Sequence, residues 1–161
     1  MLTQQQLHKT VHYNPETGVF TRLISKYNPS LVGKAMGCLD SKGYVRIGVD
    51  GNKYQAHRLA FLYMLGSAPE YVDHKNQDKA DNVWANLRPA TKSQNGANSR
   101  IKKNNTSLYR GVSWHKGSNK WVAQLGIMGK RHIIGYFACK HHAFCEYVLA
   151  SRKEYGAFSA V

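Results

Sequence analysis

Apolar positions in this chain come in short runs broken by turn-forming residues, and the period of each run predicts its element. Thr3 opens a short helix expected over residues 2–11, and Asn14, Pro15 and Gly18 make a turn before a strand at 19–23. Residues 26–39 have no clear period. Alternation at 43–49, the pair Asp50-Gly51 with its tolerance of positive φ, and a second run at 52–56 predict a hairpin. From 57 to 65 the spacing becomes helical, with Leu59, Leu62, Tyr63 and Leu65 inward and Gly66 as the stop.

The next stretch reads as strand, loop, strand, helix. A short apolar strand ends in Asp73-His74, a polar loop follows, Asn86-Leu87-Arg88 leads into a second strand, and Thr91 with Gln94 has the form of a capping box. Asn95 falls in the first turn of that helix, where its side chain can point back towards Asp73 and His74. Beyond a polar lapse, strands are expected at 109–115, 120–127 and 130–137, then a helix at 141–155 closed by Gly156. On that helix Phe144, Val148 and Tyr155 share a buried side with Tyr147 or Leu149, leaving the far sheet face to Arg110, Lys120, Arg131 and aromatic side chains. The fold class is α+β. The predicted division is an amino-terminal unit at 1–101, with its chemical core at about 57–101, a linker at 102–108 and a second unit at 109–161.

Charge sharpens this picture. The chain has 161 residues, with 23 Lys and Arg against 9 Asp and Glu, a formal charge of +14 and a pI near 9.8. Between Asp81 and Glu146 stand eleven cationic side chains and no acidic one, so a polyanion is the expected partner. An apolar fraction of 42% with 11% aromatics excludes a disordered basic tail. No run approaches the roughly 18 to 20 apolar residues of a membrane span, and the first residues lack the pattern of a signal peptide. A soluble, cytoplasmic protein with no membrane partner is expected. Cys38, Cys139 and Cys145 form no Cys-x-x-Cys pair, and His141-His142 reads as part of a solvated helix face.

The residue types around Asp73 suit phosphodiester chemistry. A hard divalent cation such as Mg²⁺ takes oxygen ligands, here the Asp73 carboxylate and the Asn95 carbonyl, and keeps positions open for water and phosphate. His74, titrating near neutrality, suits a general base that deprotonates water for in-line attack. Because neighbouring strand residues point to opposite faces, Asp73 and His74 serve one site only if the strand ends or bends there. His57 reads as a hydrogen-bonded structural histidine, and Asn82 and Asn98 as supporting or turn-forming groups.

In this arrangement, Asp73-His74, Asn86-Leu87-Arg88 and Asn95, the chain resembles the HNH endonuclease family, in the form with Asn in the third place found in phage and intron homing endonucleases. Asn14-Pro15, Gly43-Tyr44 and the Ala-His-Arg-Leu-Ala run at 56–60 extend the likeness upstream. The resemblance implies a ββα-metal site with His74 as base, Asp73 and Asn95 as ligands of Mg²⁺ or Mn²⁺, and Asn86 as a clamp on the loop that holds His74. Downstream, Tyr-Arg-Gly-Val at 109–112, Lys120-Trp121 and Ile-Gly-Tyr-Phe at 134–137 resemble the AP2 DNA-binding domain, a three-stranded sheet laid in the major groove. That likeness implies contacts to double-stranded DNA from Arg110, Trp114, Lys120, Trp121, Gln124 and Arg131. The resulting expectation is a monomeric, metal-dependent DNA endonuclease of homing or nicking type, with a second protomer on DNA as an option. A DNA-binding protein keeping an HNH-like scaffold is the alternative, and RNA binding a third class.

Overall fold

Thr3 starts the chain's first helix by a reciprocal cap. Its hydroxyl accepts from the Gln6 amide at 3.2 Å while the Gln6 side chain accepts from the Thr3 amide at 3.0 Å. The computed structural model describes residues 2–101 and 104–160; Lys102 and Lys103, in the expected linker, lie outside the described residues. Helix α1 (Gln4–Thr10) ends before Val11, which begins strand β1 (Val11–Tyr13). There Val11 and Tyr13 are buried and His12 is exposed, so the period switches to two where the apolar pattern had suggested more helix. β1 pairs antiparallel with β2 (Phe20–Arg22), and β2 with β3 (Ala35–Met36). The stretch without a period thus contributes the edge of this sheet and, in β4 (Cys38–Leu39), of the next.

β4, β5 (Val45–Val49) and β6 (Asn52–Gln55) form a second antiparallel sheet, with the β5–β6 turn made by Asp50 and Gly51, both at positive φ. Helix α2 (Ala56–Leu65) follows at once and stops at left-handed Gly66. Its buried residues are Ala56, His57, Leu59, Ala60 and Phe61, whereas Leu65, expected inward, is 63% exposed. Leu65 is the last residue of the helix, about one turn beyond Phe61, the last of its buried residues. Leu7, Val11, Tyr13, Phe20, Ile47 and Leu59 lie at the centre of this unit's core. The Tyr13 hydroxyl donates to the Asn82 carbonyl at 2.7 Å, tying that core to the polar loop. Gly18 sits against the same loop at φ +71°, where a Cβ would lie 2.4 Å from the Asn82 carbonyl carbon. Only glycine fits there.

β7 (Tyr71–His74) and β8 (Leu87–Ala90) pair antiparallel, with a 3₁₀ turn at Trp84–Asn86 between them. The chain divides into two compact units between Ala90 and Thr91. Helix α3 (Lys92–Ala97) belongs to the second unit, because Ala97 lies in that unit's core and the Arg110 guanidinium donates to the Ala97 carbonyl at 3.0 Å. The Thr91–Gln94 capping box is formed.

In the second unit β9 (Val112–His115), β10 (Lys120–Ile127) and β11 (Lys130–Phe137) make an antiparallel sheet with β10 central, and α4 (Lys140–Tyr155) packs on one face. The first strand begins three residues later than its pattern suggested. Ser107, buried, donates to the Val112 carbonyl at 2.7 Å, and Gly111 turns at φ +68° with a Cβ position 2.2 Å from the Tyr147 ring. On α4 the buried line is Ala143, Tyr147, Ser151 and Tyr155, at a strict spacing of four. Phe144 and Val148 flank it half-buried, and Leu149 is 62% exposed because it lies two positions, about 200°, beyond Tyr147.

Candidate active site

Strand β7 carries two polar residues into the protein interior at its last two positions. Asp73 is 3% and His74 5% exposed. The strand stops at His74: the Gln77 amide donates to the His74 carbonyl at 2.9 Å, and Gln77 turns at φ 61°. The strand ending that a shared site requires is therefore present. Across the ladder Asp73 faces Arg88 and His74 faces Leu87. The Arg88 Nε donates to an Asp73 carboxylate oxygen at 2.7 Å, a buried charge-assisted bond that keeps the carboxylate partnered.

The loop after His74 is held by Asn86. Its Oδ1 accepts from the Asn76 amide at 3.0 Å, and its Nδ2 donates to the Asn76 side chain at 3.0 Å and to the Asp81 carbonyl at 2.9 Å. The Lys75 amide donates to the Asn86 carbonyl at 2.9 Å. One amide side chain thus pins both ends of the segment that leaves His74.

Around the His74 ring stand residues distant in sequence. The His57 ring meets it edge-on at 5.1 Å between centroids, and Tyr44 lies 5.2 Å from His57 and 6.1 Å from His74. Lys79 lies over the Tyr44 ring at 4.7 Å and donates to the Lys42 carbonyl. Burial pushes the His57 imidazole down to about 3, helped by His74 and Arg58, so it stays neutral through the physiological range. The same burial lowers His74, opposed by the Asn82 side chain, Asp73, Asp81 and Asp78. Tyr44 is raised, by burial first and then by Asp40 and Asp73. His57 departs from the expected hydrogen-bonded histidine, since its Nδ1 has no hydrogen-bond partner among the described residues. Nothing local in the sequence marks His57 and Tyr44 as neighbours of His74; only the tertiary packing joins them.

The predicted residues fall in both units. Asp73, His74 and Asn86 belong to the first, while Asn95 is half-buried on α3 in the second. Asn82 is buried, with its side chain donating to the Ala80 carbonyl at 2.8 Å, and Asn98 is buried at the end of α3. In the second unit, sheet register sets Lys120 opposite His115, Gln124 opposite Ile133 and Arg131 opposite Gly126, on the face away from α4. Trp121, half-buried, packs against the core on the α4 side, and Trp114, 44% exposed, meets it edge-to-face across the ladder at 5.1 Å. Arg110 is taken up by the Ala97 carbonyl. Of the six expected DNA contacts, three share the open face of the sheet, two lie on the face that packs against α4, and one anchors α3.

The chemistry available is that of a desolvated neutral imidazole beside a buried carboxylate on a strand end, with the following loop clamped. Among the described residues no group of three or more His, Cys, Asp and Glu is placed to hold a metal ion. The donors offered by Asp73 are hard oxygen, suited to an ion that keeps most of its own water.

Residues 54–97, which span β7, the clamped loop and β8, match the HNH endonuclease family model HNH_3. Protein 3.8 of Escherichia phage T7 is 34% identical over 62 residues, 38% of this chain and 51% of that protein. A solved structure of DNA binding and cleavage by the HNH homing endonuclease I-HmuI shares 29% identity at a TM-score of 0.43, covering 55% of this chain and 51% of the other. An uncharacterized HNH endonuclease of Acanthamoeba polyphaga mimivirus is 31% identical over 133 residues, 81% of this chain and 68% of that protein. A match of that extent means that the chain belongs to the HNH endonuclease family.

Proposed function

We propose that the chain is a divalent-metal-dependent endonuclease that hydrolyses phosphodiester bonds in duplex DNA. The observation that carries this reading is the buried Asp73-His74 pair at the end of β7, with its loop held by Asn86. His74, kept unprotonated by burial, accepts a proton from water through a ring nitrogen as the water attacks phosphorus in line with the departing oxygen. Asn86 keeps that ring in place by holding the segment behind it. Arg88 fixes Asp73, and a carboxylate oxygen occupied by one guanidinium still has capacity for a second electrophile. Asp73 and Asn95 would hold Mg²⁺ or Mn²⁺, which when bound neutralises charge building on the phosphate. One such site per chain fits a nick, or a double-strand break when a second protomer binds.

The second unit is proposed as the DNA-reading half, an AP2-like module that uses the open face of its sheet through Lys120, Gln124 and Arg131. The arrangement of three antiparallel strands on one helix and the acid-free basic stretch beyond Asp81 support this. Nicking of supercoiled plasmid with and without Mg²⁺ is the test. The parent should nick only with the metal, and His74→Ala should lose a factor of about 10² to 10⁴ in rate while keeping DNA affinity within severalfold. Unaltered nicking by His74→Ala would refute the assignment of the base, and binding without cleavage under all conditions would favour a DNA-binding protein on an HNH scaffold.

A further inference from the structure

The second unit contains a cleft of about 470 Å³ between α3 and the hairpin end of β10 and β11. This is within the size range of sites that hold a small molecule or a nucleotide. Lys92 from α3 and Lys130 and Arg131 from β11 line it, and no acidic side chain does. Tyr147 and Tyr155, both buried, also line it, and the Tyr155 hydroxyl donates to the Gly126 carbonyl. Its walls are low at Gly96 and Gly126, where an added Cβ would meet nothing within 4 Å.

We infer that this cleft, which meets the open sheet face at Gln124 and Arg131, is a phosphate-binding site that takes a sugar-phosphate segment of one DNA strand beside that face. Three cations with no acid among them select an anion. The glycines of the lining, Gly96, Gly126 and Gly129, leave room for a deoxyribose beside the phosphate, which a site for a free hydrated anion does not need. The cleft includes α3, the helix that carries Asn95, so a strand held there is held against the helix proposed to ligand the metal. The inference rests on the proposed reading of the protein as a DNA endonuclease, and it adds Lys92 and Lys130 to the residues that meet DNA.

The full-length chain tests it, with a short fluorescein-labelled duplex as probe and salt titration as readout. Lys92→Ala and Lys130→Ala should each lower the slope of log affinity against log salt by about 0.9, the value of one phosphate contact. Gly96→Leu keeps every charge, suits the helix better than glycine and fills the cleft. It should weaken binding by about tenfold, the loss of one charge-assisted contact, with a thermal midpoint no lower than the parent's. If Gly96→Leu and both lysine variants bind as the parent does at every salt concentration, the cleft is not a DNA site. Plasmid nicking by the parent separates this from the parent reading. A parent that nicks while the variants bind normally overturns the cleft alone; variants that lose affinity in a parent that never nicks sustain the cleft and overturn the nuclease reading.

Discussion

His57 makes the stability of the first unit depend on pH in a way that can be worked out in advance. The ring is 5% exposed and held at about 3, whereas in an unfolded chain it titrates near 6.5. Between those values the unfolded chain binds a proton that the folded one refuses. The stability contributed is therefore complete above 6.5 and is lost as pH falls towards 3. Linkage gives about 1.4 kcal/mol for each pH unit in this window, so acidifying from pH 7 to pH 5 costs about 2 kcal/mol through this one group. His74, lowered by the same burial, acts in the same direction. At roughly 4 to 8 °C per kcal/mol for a unit of about 90 residues, the His57 share is a fall of about 8 to 16 °C in the Tm of the first unit. Calorimetry at pH 7 and pH 5 on the parent and on His57→Phe measures it. Phenylalanine keeps a ring in the pocket and removes the titration, so the variant should fall by about that much less. Parallel Tm curves for the two proteins across this range would refute the claim that burial holds His57 neutral.

Other expectations follow from neighbouring contacts. Asn86→Ala removes the acceptor of the Asn76 amide and two donated bonds, so that amide should exchange with deuterium faster and the fold should lose about 1 to 3 kcal/mol; unchanged exchange would show that the clamp is dispensable. Arg88→Ala takes the guanidinium from a carboxylate whose side chain is only 4% exposed and should cost about 3 to 5 kcal/mol in urea denaturation, against a fraction of that for a solvent-exposed pair. Gly111→Ala places a methyl 2.2 Å from the Tyr147 ring at positive φ and should destabilise the second unit by roughly 2 to 5 kcal/mol; an unchanged melt would mean that Tyr147 moves freely. Cleavage should rise with pH as His74 loses its proton, with a midpoint below the ordinary imidazole value of about 6.5; a flat profile with chemistry rate-limiting would exclude His74 as the base.

Local patterns in the chain were enough to determine the elements whose signals are short-range. The capping boxes at Thr3 and Thr91, the Asp50-Gly51 hairpin and the Gly66 stop depend on bonds within a few residues, and each forms where the sequence indicates. The Asp73-His74, Asn86 and Asn95 spacing was legible for the same reason, as three short pieces of one strand-loop-strand-helix run. What the tertiary structure alone decided involves contacts distant in sequence. Val11 and Tyr13 become a strand because β2 is there to pair with it, and Leu65 and Leu149 turn outward because the packed stripe is set by the neighbouring layer rather than by hydrophobicity alone. Trp121 turns to the α4 side and Arg110 is drawn to the end of α3, so neither stands on the open sheet face with Lys120 and Arg131. His57 and Tyr44 join His74 across 17 and 30 residues, and no periodicity records such a meeting. Burial fixes the charge state of those rings, and burial is a property of the assembled unit, which no single segment possesses.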